Sequence, residues 1–128
     1  MKKQVIRTSL GPSAIGPYSQ AIKAGNLVFI SGQVPIDPAS GNLIEDKSIK
    51  AQTRRSLQNL QGILSASGGS LQDVVRTTVY LTDLKNFGEM NAVYAEFFPT
   101  CPPARSTVEV SRLPKDVDIE IDCIAMLD

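Results

Sequence analysis

Two stretches of this 128-residue chain space their apolar residues as a helix does, and its other ordered segments read as strands. In the first, Leu57, Leu60 and Leu64 recur at helical spacing, Ser48 offers an N-cap, and the pattern runs to about Ser67, where Gly68-Gly69 supplies a stop. Gly62 is a weak point inside it. The second stretch runs from about Asn86 to Phe98, with Phe87, Met90, Tyr94 and Phe97 as one apolar stripe. Asn86 and Glu89 are spaced as a capping box, and Pro99 ends the helix. Two helices suffice to cover one face of a sheet and leave the other face bare.

The strands are punctuated by turn residues. An extended segment at Gln4 to Thr8 leads into Gly11-Pro12-Ser13-Ala14-Ile15-Gly16-Pro17, which is too rich in Gly and Pro for regular structure. Tyr18 to Ala24 and Leu27 to Val34 flank Gly25-Asn26, a two-residue hairpin signal. Turn residues fill Asp37 to Asn42 before the first helix, and Val74 to Thr82 reads as a strand between the helices. Two more strands follow, about Ala104 to Val110 and Val117 to Met126, joined through Leu113-Pro114-Lys115-Asp116. With no repeat or linker, residues 1 to 128 form one unit of order ββ(β)αβαββ, an α+β fold with a six-stranded sheet.

Strand alternation then assigns faces. In the last strand Ile119, Ile121, Cys123 and Ala125 share one side, while Glu120, Asp122, Ile124 and Met126 share the other. The same parity separates Ser106, Val108 and Val110 from Arg105, Thr107 and Glu109. If the apolar sets face the helices, Arg105, Thr107, Glu120 and Asp122 all point to the bare side. That side also carries Ile124 and Met126, a mixture that fits burial against another subunit better than full exposure.

Composition narrows the chemistry. The chain contains no histidine, which removes Ser-His-Asp and Cys-His nucleophiles and the usual His-ligated metal sites. Thirteen Lys plus Arg balance thirteen Asp plus Glu, so no net positive field draws it to nucleic acid or anionic membrane. Gly11 to Gly16 lacks a phosphate-loop pattern. No signal-like or membrane-spanning apolar run is present, and Cys101 and Cys123 do not form a C-x-x-C pair, so a cytoplasmic protein with reduced thiols is expected. Acid–base work falls to carboxylates, Tyr, Lys, Cys, backbone groups or water.

Arg105 suits a carboxylate, which a guanidinium grips through two parallel hydrogen bonds, and Glu120 suits proton transfer if partial burial raises its pKa. The plainer alternative pairs these two residues with each other or with neighbours. Tyr18 follows a Gly-Pro turn and is placed either in a pocket or in the core. Gly32 in Ser31-Gly32 permits close backbone approach to a ligand, or marks a bulge. Asn91 lies beside the apolar stripe, with a surface role as its default.

Three segments resemble the reactive intermediate deaminase family (Rid, or YjgF-type), and within it the RidA-type subgroup. They are Ala14-Ile15-Gly16-Pro17-Tyr18-Ser19-Gln20-Ala21, Phe29-Ile30-Ser31-Gly32-Gln33-Val34, and Pro103-Ala104-Arg105-Ser106 through Leu113-Pro114-Lys115-Asp116-Val117 to Ile119-Glu120-Ile121. The last keeps an Arg and a Glu at fixed spacing across what reads as a hairpin. The resemblance implies a chorismate-mutase-like subunit, a mixed sheet with two helices on one face, and a homotrimer with clefts between neighbouring subunits. It implies that Arg105 clamps a substrate carboxylate, that Glu120 places or activates water, and that Tyr18, Ser31, Gly32 and Asn91 shape the cleft. Thr107 stands where relatives commonly carry Cys, and the resemblance gives that position a main-chain binding role, with no nucleophile.

The activity implied is hydrolysis of 2-imino or enamine acids, such as 2-aminoacrylate, 2-iminopropanoate and 2-iminobutanoate, to 2-keto acids and ammonia without metal or organic cofactor. Two other classes compete. One is an endoribonuclease or translation inhibitor, disfavoured by the charge balance and the missing histidine. The other is a metabolite-binding or holdase-like trimer without turnover, which a Glu120→Gln variant separates from an enzyme.

Overall fold

The computed structural model describes residues 2–128, so Met1 of the expected 1–128 unit lies outside the described residues. Eight elements follow in order: β1 (Lys3–Ile6), β2 (Ala21–Ala24), β3 (Leu27–Gln33), α1 (Ile49–Ala66), β4 (Val74–Leu81), α2 (Phe87–Phe97), β5 (Ala104–Glu109) and β6 (Ile119–Met126). The strands form one six-stranded sheet in the order β1-β2-β3-β6-β4-β5, with every pair antiparallel except β4 and β5. This is the expected α+β architecture with a mixed sheet and two helices.

Helix α1 begins where Ser48 accepts a hydrogen bond from the Ala51 amide, which satisfies one of the free N–H groups of the first turn. It ends in a Schellman arrangement, with the Gly69 amide bonded to the Leu64 carbonyl, the Gly68 amide to that of Ser65, and Gly68 at φ +90°. Gly62 is no weak point: a side chain there would strike the Leu10 carbonyl, so the glycine lets the N-terminal loop lie against the helix. The capping box expected at Asn86 does not form, because Asn86 has φ −82° and ψ 1° and makes no side-chain cap. A short 3-10 turn, Leu84–Asn86, feeds directly into α2, and its cap is Asp83, which accepts from the Lys85 amide.

The core lies on one side of the sheet. Leu57, Leu60, Ile63 and Leu64 of α1, with Met90 and Val93 of α2, pack over Val28, Val79, Leu81, Ile119 and Ile121, all of them essentially inaccessible to water. Burial of this kind stabilises by about 25 cal/mol per Å² of apolar surface. On the other side Phe29, Val108 and Met126 are 42%, 40% and 50% exposed, so the bare face is apolar enough to need a cover.

One expectation about the last third fails. Strands β5 and β6 are not a hairpin, because β4 lies between them and pairs with both. The residues from 110 to 118 therefore cross over β4 instead of turning back on β5.

Tyr18 is in no strand. It sits half-exposed in the bends before β2, where Gln20 ties down the preceding loop. The Gln20 side chain accepts from the Thr8 amide at 2.8 Å and donates to the carbonyls of Thr8, Gly11 and Pro12 at 2.9, 3.2 and 2.7 Å. Gln20→Ala leaves these buried groups short of partners and is expected to lower the unfolding free energy by about 2–3 kcal/mol. Chemical denaturation checks the magnitude, and faster amide exchange at Thr8 checks the place.

Candidate functional site

The candidate residues fall into two groups. The first lines a cleft of about 570 Å³ whose walls include Tyr18, Ser31, Gly32, Gln33 and Glu120, closed by Pro12, Ile36 and Lys115. A β-bulge between Ile30 and Gln33 breaks the pairing of β3 with β6, which turns Ser31-Gly32 out of the regular ladder. Ser31 is then anchored twice, by its hydroxyl to the Ser19 carbonyl at 2.6 Å and by its amide to the Gln20 carbonyl at 3.0 Å. Of the two sequence readings of Gly32 the bulge holds, and the close approach seen is by a side chain of the protein itself. The neighbour that approaches is the Glu120 carboxylate, which occupies the space a Gly32 side chain would need.

Burial in that space raises the Glu120 pKa from its ordinary value, and the nearby Asp122 carboxylate adds to the effect. Asp122 accepts a hydrogen bond from the Tyr80 hydroxyl at 3.1 Å. A carboxyl group raised in this way holds and releases protons closer to neutrality than a surface glutamate does. Gly32→Ala is therefore expected to push the carboxylate aside and reduce any Glu120-dependent turnover about tenfold or more, since misplacement by an ångström is costly in catalysis. Steady-state kinetics beside an unchanged circular dichroism spectrum would check it.

The second group lies across the sheet. Arg105 pairs with Thr77 of β4, and Thr77 in turn pairs with Cys123 on the helix-covered face of β6. The guanidinium carbon lies 4.7 Å from the ring centre of Tyr94 and 5.6 Å from that of Phe87, both on α2. Thr107 pairs with the fully buried Val79 and is half-buried on the same face. Asn91, also half-buried, stands one turn after Phe87 and one turn before Tyr94, so it shares their side of α2.

The expectation that Arg105 and Thr107 share the bare face with Glu120 and Asp122 is thus wrong. The expected alternation turns Val108 inward, but Val108 lies opposite Tyr80 on the bare face. Arg105 takes the covered side because aromatic rings, not aliphatic groups, finish the core at this edge. Glu120 pairs with Tyr80, so it is two strands and three residues away from Arg105, roughly 14 Å between Cα atoms, and on the opposite face. Nor do the two pair as ions, for among the described residues Arg105 makes no salt bridge.

Phe87 and Tyr94 entered the sequence reading only as helix core, and their second role was missed. The available signal was a pair of aromatic residues seven apart on a helix beside a strand that carries an arginine. Other chemistries find little support nearby. Burial pushes the Cys123 thiol up to about 12, which leaves it protonated, and Cys101 is exposed in the loop before β5. Among the described residues no cluster of His, Cys, Asp and Glu could hold a metal ion, and no helix is long and apolar enough to cross a membrane.

The profile of the family described as Endoribonuclease L-PSP matches residues 8–127. A RutC family protein of Pyrococcus horikoshii is 58% identical over 123 residues, which is 96% of this chain and 97% of that one. A 2-iminobutanoate/2-iminopropanoate deaminase of Salmonella typhimurium is 48% identical over 126 residues, covering 96% and 97%. Among solved structures, TdcF of E. coli with bound serine superposes with a TM-score of 0.92 at 43% identity, covering 98% of this chain and 99% of that one.

Proposed function

The chain belongs to the Endoribonuclease L-PSP family, whose members include the RutC proteins and deaminases above, and from that premise we propose that it hydrolyses small 2-imino and enamine acids to 2-keto acids and ammonia. The observation that carries this reading is the division of labour between the two groups. Arg105 offers a positive charge that no carboxylate of the described residues neutralises, and Glu120 offers a carboxyl raised toward neutrality beside a cleft. One binds an acid; the other handles water.

Because the two lie on opposite faces, we further propose that a working site combines the Arg105 edge of one protomer with the Glu120 cleft of another. A homotrimer closed through the bare sheet face satisfies both this need and the exposed Phe29, Val108 and Met126. In the reaction Arg105 holds the substrate carboxylate, and Glu120 takes a proton as water adds to the imine carbon. Glu120 passes that proton to the imine nitrogen to give a neutral carbinolamine, then takes the hydroxyl proton and delivers it to the amino nitrogen as the C–N bond breaks, which releases the ketone and ammonia and restores the carboxylate. Each turnover consumes one water and releases one ammonia. Since free imines already hydrolyse in water, orientation and one proton carrier are enough. Tyr18, Ser31, Gly32, Asn91 and the main chain at Thr107 shape the space around the substrate.

The test generates 2-aminoacrylate with a serine dehydratase and follows pyruvate while semicarbazide competes for the imine. Faster pyruvate release and less trapped product are expected with this protein present. No acceleration with several imino acids would sink the deaminase reading and leave a metabolite-binding module. The family's description favours a second reading, RNA cleavage, but thirteen basic residues balanced by thirteen acidic ones and the absence of histidine weigh against it. Cleavage of RNA lost on Arg105→Ala would favour it instead.

A further inference from the structure

A charge meant for substrate must be held in place without being neutralised. An ion pair would fix Arg105 but consume its charge, and solvent would leave a long side chain with several rotamers to lose on binding. The structure contains a third arrangement. Tyr94 stands between Arg105 and the core, with its ring face toward the guanidinium carbon at 4.7 Å. The ring packs tilted against Phe98, with centroids 4.7 Å apart, and its hydroxyl is bonded to the Thr77 hydroxyl at 2.7 Å. Thr77 is wholly buried and is the direct cross-strand partner of Arg105.

We infer that Thr77 and Tyr94 are positioning residues for Arg105: their buried hydroxyl pair locks the Tyr94 ring as a platform that aims the guanidinium while leaving its hydrogen-bonding edge free for a carboxylate. The inference deepens the proposed function and rests on its assignment of Arg105 to the substrate carboxylate. Each part has a physical reason. The ring attracts the cation through its quadrupole, and its single hydroxyl, already bonded to Thr77, can occupy at most one of the five guanidinium N–H groups, so the fork remains available. The platform is rigid because Tyr94 is fixed at both ends, by Phe98 and by Thr77. A threonine hydroxyl at the centre of an otherwise apolar strand face is costly to bury without a partner, and the tyrosine hydroxyl is that partner. Phe87 contributes a second ring at 5.6 Å but is exposed, so it follows the guanidinium more than it directs it.

The test compares Thr77→Val, Thr77→Ser and Tyr94→Phe in the intact oligomer. Two readouts are taken: KM and kcat in the imine assay, and binding of 2-oxobutanoate by titration calorimetry. Thr77→Val and Tyr94→Phe are expected to weaken 2-oxobutanoate binding and to raise KM by roughly three- to tenfold, with kcat changed less than twofold. Thr77→Ser, which keeps the hydroxyl, is expected to match wild type in both. A fall in melting temperature with unaltered binding and KM would make the pair merely structural and overturn the inference, as would a Thr77→Ser protein no better than Thr77→Val. If wild type turns over no imino acid yet the binding differences remain, the positioning role stands and the deaminase reading falls. If wild type binds no 2-oxobutanoate, the positioning role falls.

Discussion

Arg105→Ala is expected to lower kcat/KM for imino acids by roughly 10²–10⁴-fold, because two charge-assisted hydrogen bonds to the substrate carboxylate are each worth about 1.5–3 kcal/mol. The effect on the folded state should be smaller. Arg105 has no ion partner among the described residues, so what it loses on truncation is its contact with the Tyr94 and Phe87 rings. Contacts of that kind contribute about 0.5–2 kcal/mol. Arg105→Lys should fall between, since the ammonium keeps the charge but not the planar fork. The measurement is the trap-competition assay on all three proteins beside a thermal melt. Wild-type kinetics in the alanine variant would remove Arg105 from the substrate site.

Glu120→Gln is expected to cost about 10²–10⁴-fold in kcat, the usual contribution of a positioned acid–base group, while 2-oxobutanoate still binds. The variant should also be more stable than wild type at neutral pH. Burial and Asp122 raise the Glu120 pKa in the folded protein, so the folded state holds a proton that the unfolded state has already released. Stability is therefore highest below the ordinary glutamate pKa, declines as pH rises through the raised one, and carries the full cost above it. Glutamine is never charged and avoids that cost. Because the reaction needs the ionised form to receive a proton from water, the wild-type rate should fall on the acid side, at a higher pH than an unperturbed glutamate would give, and the variant should lack that limb. Melting curves and pH–rate profiles across pH 4 to 8 check both halves. A variant with full activity would leave Glu120 a structural carboxyl only.

The parts of the fold that could be read from the sequence are those set by local rules. Ser48 and Gly68-Gly69 bound α1 because caps are chemical necessities at helix ends, and the final strand alternates cleanly because one face is core. Strand β5 could not be read this way. It lies at the sheet edge, with few neighbours to impose a face, and the usual assumption that valine points inward assigns it backwards. Pairing was equally hidden: nothing in residues 104 to 126 signals that β4 inserts between two strands consecutive in sequence. Residue chemistry and the resemblance point to the same site residues, but strand parity, which assigns β5 backwards, puts Arg105 and Glu120 on one face when they belong to two. Tyr94 illustrates the deeper difficulty, since a core aromatic and a platform for a cation look alike until the Thr77 hydroxyl and the guanidinium are seen on either side of it.

The place of β6 has a consequence for how the molecule is made. The sixth strand is held between β3 and β4, so a ribosome that has finished β5 carries two half-sheets, β1-β2-β3 and β4-β5, with no strand yet to pair them. Translation runs from the N-terminus at a pace of about 5–20 residues per second, and during that interval the apolar faces of α1 and α2 wait for Ile119, Ile121 and Cys123 to arrive. Folding must then be a late and largely concerted event, dominated by contacts distant along the chain. A chain cut short before residue 119 leaves the two half-sheets unpaired and part of the apolar helix faces uncovered, which makes it an aggregation hazard.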